Sequence, residues 1–151
     1  MNNLDNDVLI RLFAELHLAV EKLKNLSQTS EETFLRSFEK ADSAKYNFIV
    51  AIEAAIDICN HLIASRNLGT PEEYADVFRV MKEAAVFDDE FTERLVQMAR
   101  FRNLLVHRYW MVDDRQVYRI LREELGDFKL FEDAIRAYLT SEGSERSSRE
   151  I

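Results

Sequence analysis

The chain is poor in the residues that staple or interrupt a fold. Its 151 positions include one cysteine, one proline and three glycines. A single cysteine excludes an intrachain disulfide framework. Few glycines, together with many Leu, Ala, Glu and Arg, favour an all-helical protein. No apolar run approaches the ~20 residues of a membrane span, and Met1-Asn2-Asn3-Leu4-Asp5 lacks the basic-then-apolar order of a signal peptide. The two absences together lead us to expect a cytoplasmic protein. Positive charge is short as well. A net charge of −8 excludes a general, electrostatically driven nucleic-acid binder but leaves room for a local basic site.

What is present is helical periodicity. A chain of this length is expected to form one domain over residues 1–140 and to bury ~70% of its unfolded surface. Leu9, Leu12, Phe13, Leu16, Val20 and Leu23 form one stripe of a first helix over Leu4–Leu26. Ser27–Ser30 breaks it, and Glu31 and Glu32 favour a short helix docked by Phe34, Leu35 and Phe38. The longest pattern runs from about Asp42 to Ser65 through Tyr46, Ile49, Ile52, Ile56, Cys59 and Ile63, with Gly69 a natural left-handed cap beyond it. Cys59 lies on that apolar stripe and reads as a buried thiol rather than a nucleophile. Thr70-Pro71-Glu72-Glu73 matches a capping box and predicts a helix through Tyr74, Val77, Phe78 and Met81. Phe87-Asp88-Asp89-Glu90 opens the next helix and Trp110–Asp114 breaks it. Val117 to Tyr138 then traces a last helix or a pair divided at Gly126. The polar tail Ser141–Ile151 is expected to be disordered. The architecture these patterns imply is an antiparallel helical bundle.

One position breaks the pattern. Phe91, Leu95, Met98, Arg102, Leu105 and Tyr109 follow one another at steps of three and four, so Arg102 stands where a core leucine is expected. A guanidinium keeps its charge, and burying it costs several kcal/mol (order of magnitude) unless it is paired or faces a wet cleft. Two readings follow: a cleft that binds an anion, or an ion pair with an acid such as Glu53 or Asp57. Arg100 and Arg108 add local basic character. Five residues on, His107 is either an acid–base group or a surface histidine at a helix C-terminus. Tyr109 suits an interface, and Trp110 either stacks a base or joins a core or interface. Asp57 and His61, four apart, are too few to hold a metal. His17 has no companion motif, and Arg119, Arg122, Glu123 and Glu124 read as a solvated face.

Arg102-Asn103, His107 and Tyr109, with the upstream segment Ala51–Ile63, resemble the signature of the HEPN superfamily, and most of all its HepT-type toxins. The likeness spans roughly Leu9 to Phe131. It implies a metal-independent endoribonuclease toxin that needs no cofactor, with Arg102 and His107 catalytic. Arg102 would hold the phosphate, His107 would move a proton, and Asn103 would orient a phosphate oxygen or the imidazole. It also implies a homodimer whose motifs line a shared cleft. A minimal nucleotidyltransferase antitoxin would adenylylate the tyrosine two residues past the histidine, here Tyr109, and so block the anion-binding cleft. Two alternatives stay open: a non-catalytic nucleotide- or substrate-binding companion of such a nucleotidyltransferase, and a purely structural interaction bundle. Geometry sets a condition on the first reading. At ~100° per residue, Arg102 and His107 lie ~140° apart on a straight helix. They converge if the helix distorts near Val106, if Arg102 reaches around, or if two protomers build the site.

Overall fold

A computed structural model describes the backbone of residues 3–150 and the side chains of residues 4–144. All regular structure among them is helical: α1 (Asn3–Ser27), α2 (Glu31–Arg36), α3 (Phe38–Arg66), α4 (Asp76–Glu83), α5 (Asp89–His107), a single 3₁₀ turn (Tyr109–Met111), α6 (Asp114–Glu123) and α7 (Gly126–Glu150). The central element is α3, whose apolar residues, Phe48, Ile52, Ile56, Ile58, Cys59 and Leu62 among them, are almost completely buried. Full burial of one such side chain is worth roughly 1.5–3 kcal/mol. By length and composition alone α3 would also pass for a membrane span, contrary to the expectation that no segment would. It is instead wrapped by the bundle, with α1, α4, α5 and α6 packed against it.

Contacts between helix ends fix the directions. Asp5 at the start of α1 binds Arg66 at the end of α3, so α1 and α3 are antiparallel. His17 meets Glu132 and Arg66 meets Glu142, which lays α7 antiparallel to α1. Tyr109, just past α5, reaches Asp42 near the start of α3. The end of α5 is thereby placed over the first turns of α3.

Capping explains several boundaries. The Ser30, Ser37 and Asp88 side chains accept hydrogen bonds from the backbone N–H groups of Thr33, Lys40 and Phe91, starting α2, α3 and α5. Other expectations need correction. The capping box at Thr70–Glu73 does not form: α4 starts only at Asp76, whose carboxylate accepts from the N–H groups of Glu72 and Glu73 at 3.1 Å. Asn67, at φ 54° and ψ 51°, is the left-handed cap of α3, not Gly69. Gly69 serves a close approach, since a Cβ there would stand 3.1 Å from Val80. Phe34 is buried as expected, but Phe38 is exposed. The tail is not a disordered segment: α7 continues to Glu150, and only Ile151 of the tail lies outside the described residues. The physical reason is an anchor at its start, where the Arg66 guanidinium holds Glu142 at 3.1 Å.

Candidate functional site

Arg102 is buried, and its partners define the site. Its Nε and Nη2 donate to one oxygen of Glu53 at 3.0 and 2.7 Å, and its Nη1 donates to the Asn103 side-chain oxygen at 3.0 Å. The guanidinium also stacks over the Tyr74 ring, 4.4 Å from its centroid. The ion pair anticipated from the sequence therefore exists, with Glu53 as the partner. Asp57, the other acid considered, makes no hydrogen bond to Arg102. Burial, reinforced by Glu53 and Glu15, pushes the Asp57 carboxyl above its usual range.

His107 is the last residue of α5 and is exposed. Helix α5 runs unbroken through Val106, so no distortion brings His107 round to Arg102. The ~140° separation expected of a straight helix is kept. His107 and Asn103, four apart on one face, line a cavity of about 580 Å³ with Arg100. Tyr74, Pro71, Val77 and Arg79 close it from the α4 side. Arg102 lies behind this wall, touching two of its residues, Tyr74 and Asn103. Sequence reasoning missed Tyr74, because nothing in its neighbourhood signals a partner 28 positions away.

Tyr109 occupies a separate corner. Its hydroxyl donates to Asp42 at 2.5 Å, and Lys45 Nζ stands 4.5 Å from its ring centroid. The bond to Asp42, with some burial, holds the phenol above its ordinary pKa and therefore protonated. Lys45 is buried and binds Asp114 at 2.7 Å. Burial opposes its charge, yet Asp114 and the tyrosine raise its pKa on balance. Trp110 is 77% exposed, so it belongs to no core within this protomer.

The remaining candidates are structural. His61 binds Asp5 rather than sharing a ligand with Asp57, and His17 binds Glu132. Cys59 is fully buried, which drives its thiol pKa upward. Arg119 pairs with Glu123 on an exposed face, and Arg122 donates to the Ser27 carbonyl. Among the described residues no group of three or more His, Cys, Asp or Glu side chains is placed to hold a metal ion.

This arrangement, a helix-borne Arg-Asn, a histidine five residues past the arginine and a tyrosine beyond it, can be set beside known proteins. The family model described as Ribonuclease HepT-like matches residues 16–135. The chain belongs to this family. Among its relatives, the mRNA nuclease HepT of Shewanella oneidensis is 27% identical over 132 residues, covering 87% of this chain and 98% of the relative. The tRNA nuclease HepT of Aphanizomenon flos-aquae is 25% identical over 120 residues, covering 80% and 82%. A solved toxin–antitoxin structure with AMP-PNP superposes with a TM-score of 0.81 at 26% identity, covering 87% of this chain and 98% of that one. The tri-AMPylated Shewanella oneidensis HEPN toxin, solved in complex with its MNT antitoxin, superposes with a TM-score of 0.80 at 26% identity, covering 91% and 99%. The all-helical fold and the family implied by the sequence both stand, and the chain is a HepT-like ribonuclease. In this HepT-like chain two helices meet at both the cavity and the buried Arg102 pair: α5 brings Arg100, Asn103 and His107 to the one and Arg102 to the other, and α3 brings Asn60 and Glu53.

Proposed function

We propose that this chain is the ribonuclease toxin of a toxin–antitoxin pair, cleaving RNA without a metal through His107 and Arg102. The observation that carries the reading is Asn103. It lines the cavity beside His107 and also binds Arg102 Nη1, so the three motif residues form one connected set despite the helical offset. In the cavity the 2′-oxygen of a ribose attacks the adjacent phosphorus and the bond to the 5′-oxygen breaks. The products are a 2′,3′-cyclic phosphate and a 5′-hydroxyl. His107 takes the 2′-hydroxyl proton or supplies one to the leaving 5′-oxygen. Arg100 furnishes positive charge on the α5 side of the cavity; on the opposite side Arg79 is held by Asp76 at 2.7 Å and stands near Glu72 and Glu73. Arg102 stabilises the charge developing on the non-bridging phosphate oxygens once one of them displaces Glu53, whose side chain is 43% exposed and therefore free to move into water.

A homodimer is part of the proposal. Val106 at the end of α5 and Trp110 and Met111 in the turn after it, with Phe38 and Tyr46 from the start of α3, are all exposed. That much apolar and aromatic surface beside a functional motif suits an isologous contact, which would bring two copies of the motif together. The second partner is a minimal nucleotidyltransferase antitoxin that adenylylates Tyr109, in keeping with the tri-AMPylated relative and its MNT antitoxin. A cytoplasmic location belongs to the same reading.

The test is cleavage of transfer and messenger RNA in EDTA by the wild type, His107→Ala and Arg102→Ala at matched fold stability. The expected outcome is cyclic-phosphate ends from the wild type and a loss of ~10²–10⁴-fold in His107→Ala, the usual worth of acid–base catalysis. Its melting temperature should not change, because His107 is exposed. The occupied fork of Arg102 favours a second reading, a companion that binds nucleotide without cutting RNA. Nucleotide binding with no cleavage by the wild type would select it.

A further inference from the structure

We infer that Asp42 is the general base for modification of Tyr109, so that this chain supplies one of the catalytic groups of its own silencing. The inference rests on the reading of Tyr109 as the adenylylated residue. Its support is the local geometry. The tyrosine hydroxyl donates to Asp42 Oδ1 at 2.5 Å, a direct path for its proton and well inside hydrogen-bond reach. Asp42 is itself exposed and free to pass that proton to water, and Tyr109 is 46% exposed, so a nucleotide can reach its oxygen.

A phenol that stays protonated at neutral pH is a weak nucleophile. It becomes effective when a base removes the proton as the new bond forms. In the step proposed, Tyr109 Oη attacks the α-phosphorus of ATP held by the nucleotidyltransferase. The bond from that phosphorus to the bridging oxygen breaks, pyrophosphate leaves and the phenolic proton moves to Asp42. The products are a tyrosyl–AMP phosphodiester, pyrophosphate and a protonated carboxyl that releases its proton to solvent.

Two neighbouring groups fit this assignment. Lys45 Nζ lies 4.5 Å from the tyrosine ring centroid and is held by Asp114 at 2.7 Å, which places one fixed positive charge beside the new diester. The contact also orients the acceptor. The hydrogen bond ties the 3₁₀ turn to α3 and limits rotation of the phenol, so its oxygen is presented in one direction. Once AMP is attached, Asp42 has lost its donor and faces an anion.

The experiment follows AMP transfer by intact mass, with the full chain, ATP and magnesium, and a minimal nucleotidyltransferase antitoxin of the kind in the Shewanella oneidensis complex. The chains compared are the wild type, Asp42→Asn, Asp42→Glu and Tyr109→Phe. Asp42→Asn is expected to slow the first addition ~10²–10⁴-fold. Its rate should climb about tenfold per pH unit between pH 6 and 9, as the phenolate fraction does, while the wild-type rate stays nearly flat. Asp42→Glu should recover part of the rate, and Asp42→Asn should cleave RNA as the wild type does. Transfer to Asp42→Asn at the wild-type rate, or a slowed rate with an unchanged pH profile, would overturn the inference and leave Tyr109 as the acceptor. An unmodified wild type, or a Tyr109→Phe chain modified as fast as the wild type, would instead overturn the reading of Tyr109 itself.

Discussion

Two arginines of this bundle are largely withdrawn from water, and their surroundings differ in a way that separates structure from function. Arg66 uses its whole fork on two carboxylates: Nε and Nη2 on Glu142, Nη1 and Nη2 on Asp5, all within 3.1–3.3 Å. It ties α3 to α1 and α7 and lines no part of the cavity beside His107. Arg102 binds one oxygen of one half-exposed carboxylate, one amide oxygen and one aromatic face. It lies directly behind a cavity. A charge closed off by two acids is a clamp; a charge met by one movable acid is available to a competing anion.

The largest effect that tests this contrast is on stability at Arg66. Arg66→Ala removes the guanidinium that Asp5 and Glu142 share, and the expected cost is about 3 kcal/mol, read from urea unfolding. RNA cleavage per folded molecule should not change. The same clamp predicts an acid limb. Burial opposes the charge on Asp5, but the bonds from Arg66 and His61 win, so its folded pKa lies below its unfolded one. Its stabilising contribution is therefore complete above the unfolded value of roughly 4 and is lost as pH falls through the lower folded value. Unfolding followed between pH 5 and 2 should show this loss in the wild type and a weaker one in Arg66→Ala. An Arg66→Ala variant as stable as the wild type would mean that α7 is held by packing alone.

Glu53→Gln comes next. The amide oxygen still accepts from Arg102, so the bundle folds, at a cost of about 1 kcal/mol from the weakened bond. The guanidinium no longer has a competing anion, and RNA binding at low salt should tighten roughly three- to tenfold. Filter binding with a non-cleaving His107→Ala background isolates this term. Weaker binding would show that Glu53 positions Arg102 rather than competing for it, and the two arginines would then be clamps of one kind.

How much of this contrast was legible beforehand follows from what periodicity carries. Arg102 stood out because it interrupts a stripe of apolar residues at steps of three and four, a purely local signal. Glu53 could be named as a candidate partner because it lies on a helix with an equally clear apolar face. Helix α4 was misplaced at its start because Thr70–Glu73 satisfies the local capping rule, while the Asp76 carboxylate captures the same N–H groups from further along. Tyr74 and Asp42 were read only as parts of helices, not as partners of the motif. Each touches the motif from 28 and 67 positions away, and hydrophobic period fixes which face a helix buries but not its register against a neighbour. The tail was misread for a related reason. Its composition is that of a disordered segment, and the Arg66–Glu142 bond that anchors its first turn spans 76 positions.

The smallest effect sharpens the comparison most directly, because it asks whether the corner of Arg102 holds one acid or two. Asp57 lies near Glu53, and its carboxyl is pushed above the usual range by burial first and then by Glu53 and Glu15, with Arg11 and Arg102 opposing. A folded pKa above the unfolded one means that the folded state binds the proton more tightly. Ionised Asp57 therefore subtracts stability as pH rises through the window from about 4 to the raised value. Asp57→Asn removes that penalty. It should stabilise the chain at pH 7 by no more than about 0.5 kcal/mol, since much of the repulsion is screened by water at this partly exposed position. At pH 3 it should change nothing. Destabilisation at pH 7 would mean that Asp57 already serves Arg102 as a second counterion. The corner would then be closed in the manner of Arg66, and a phosphate would have two carboxylates to displace instead of one.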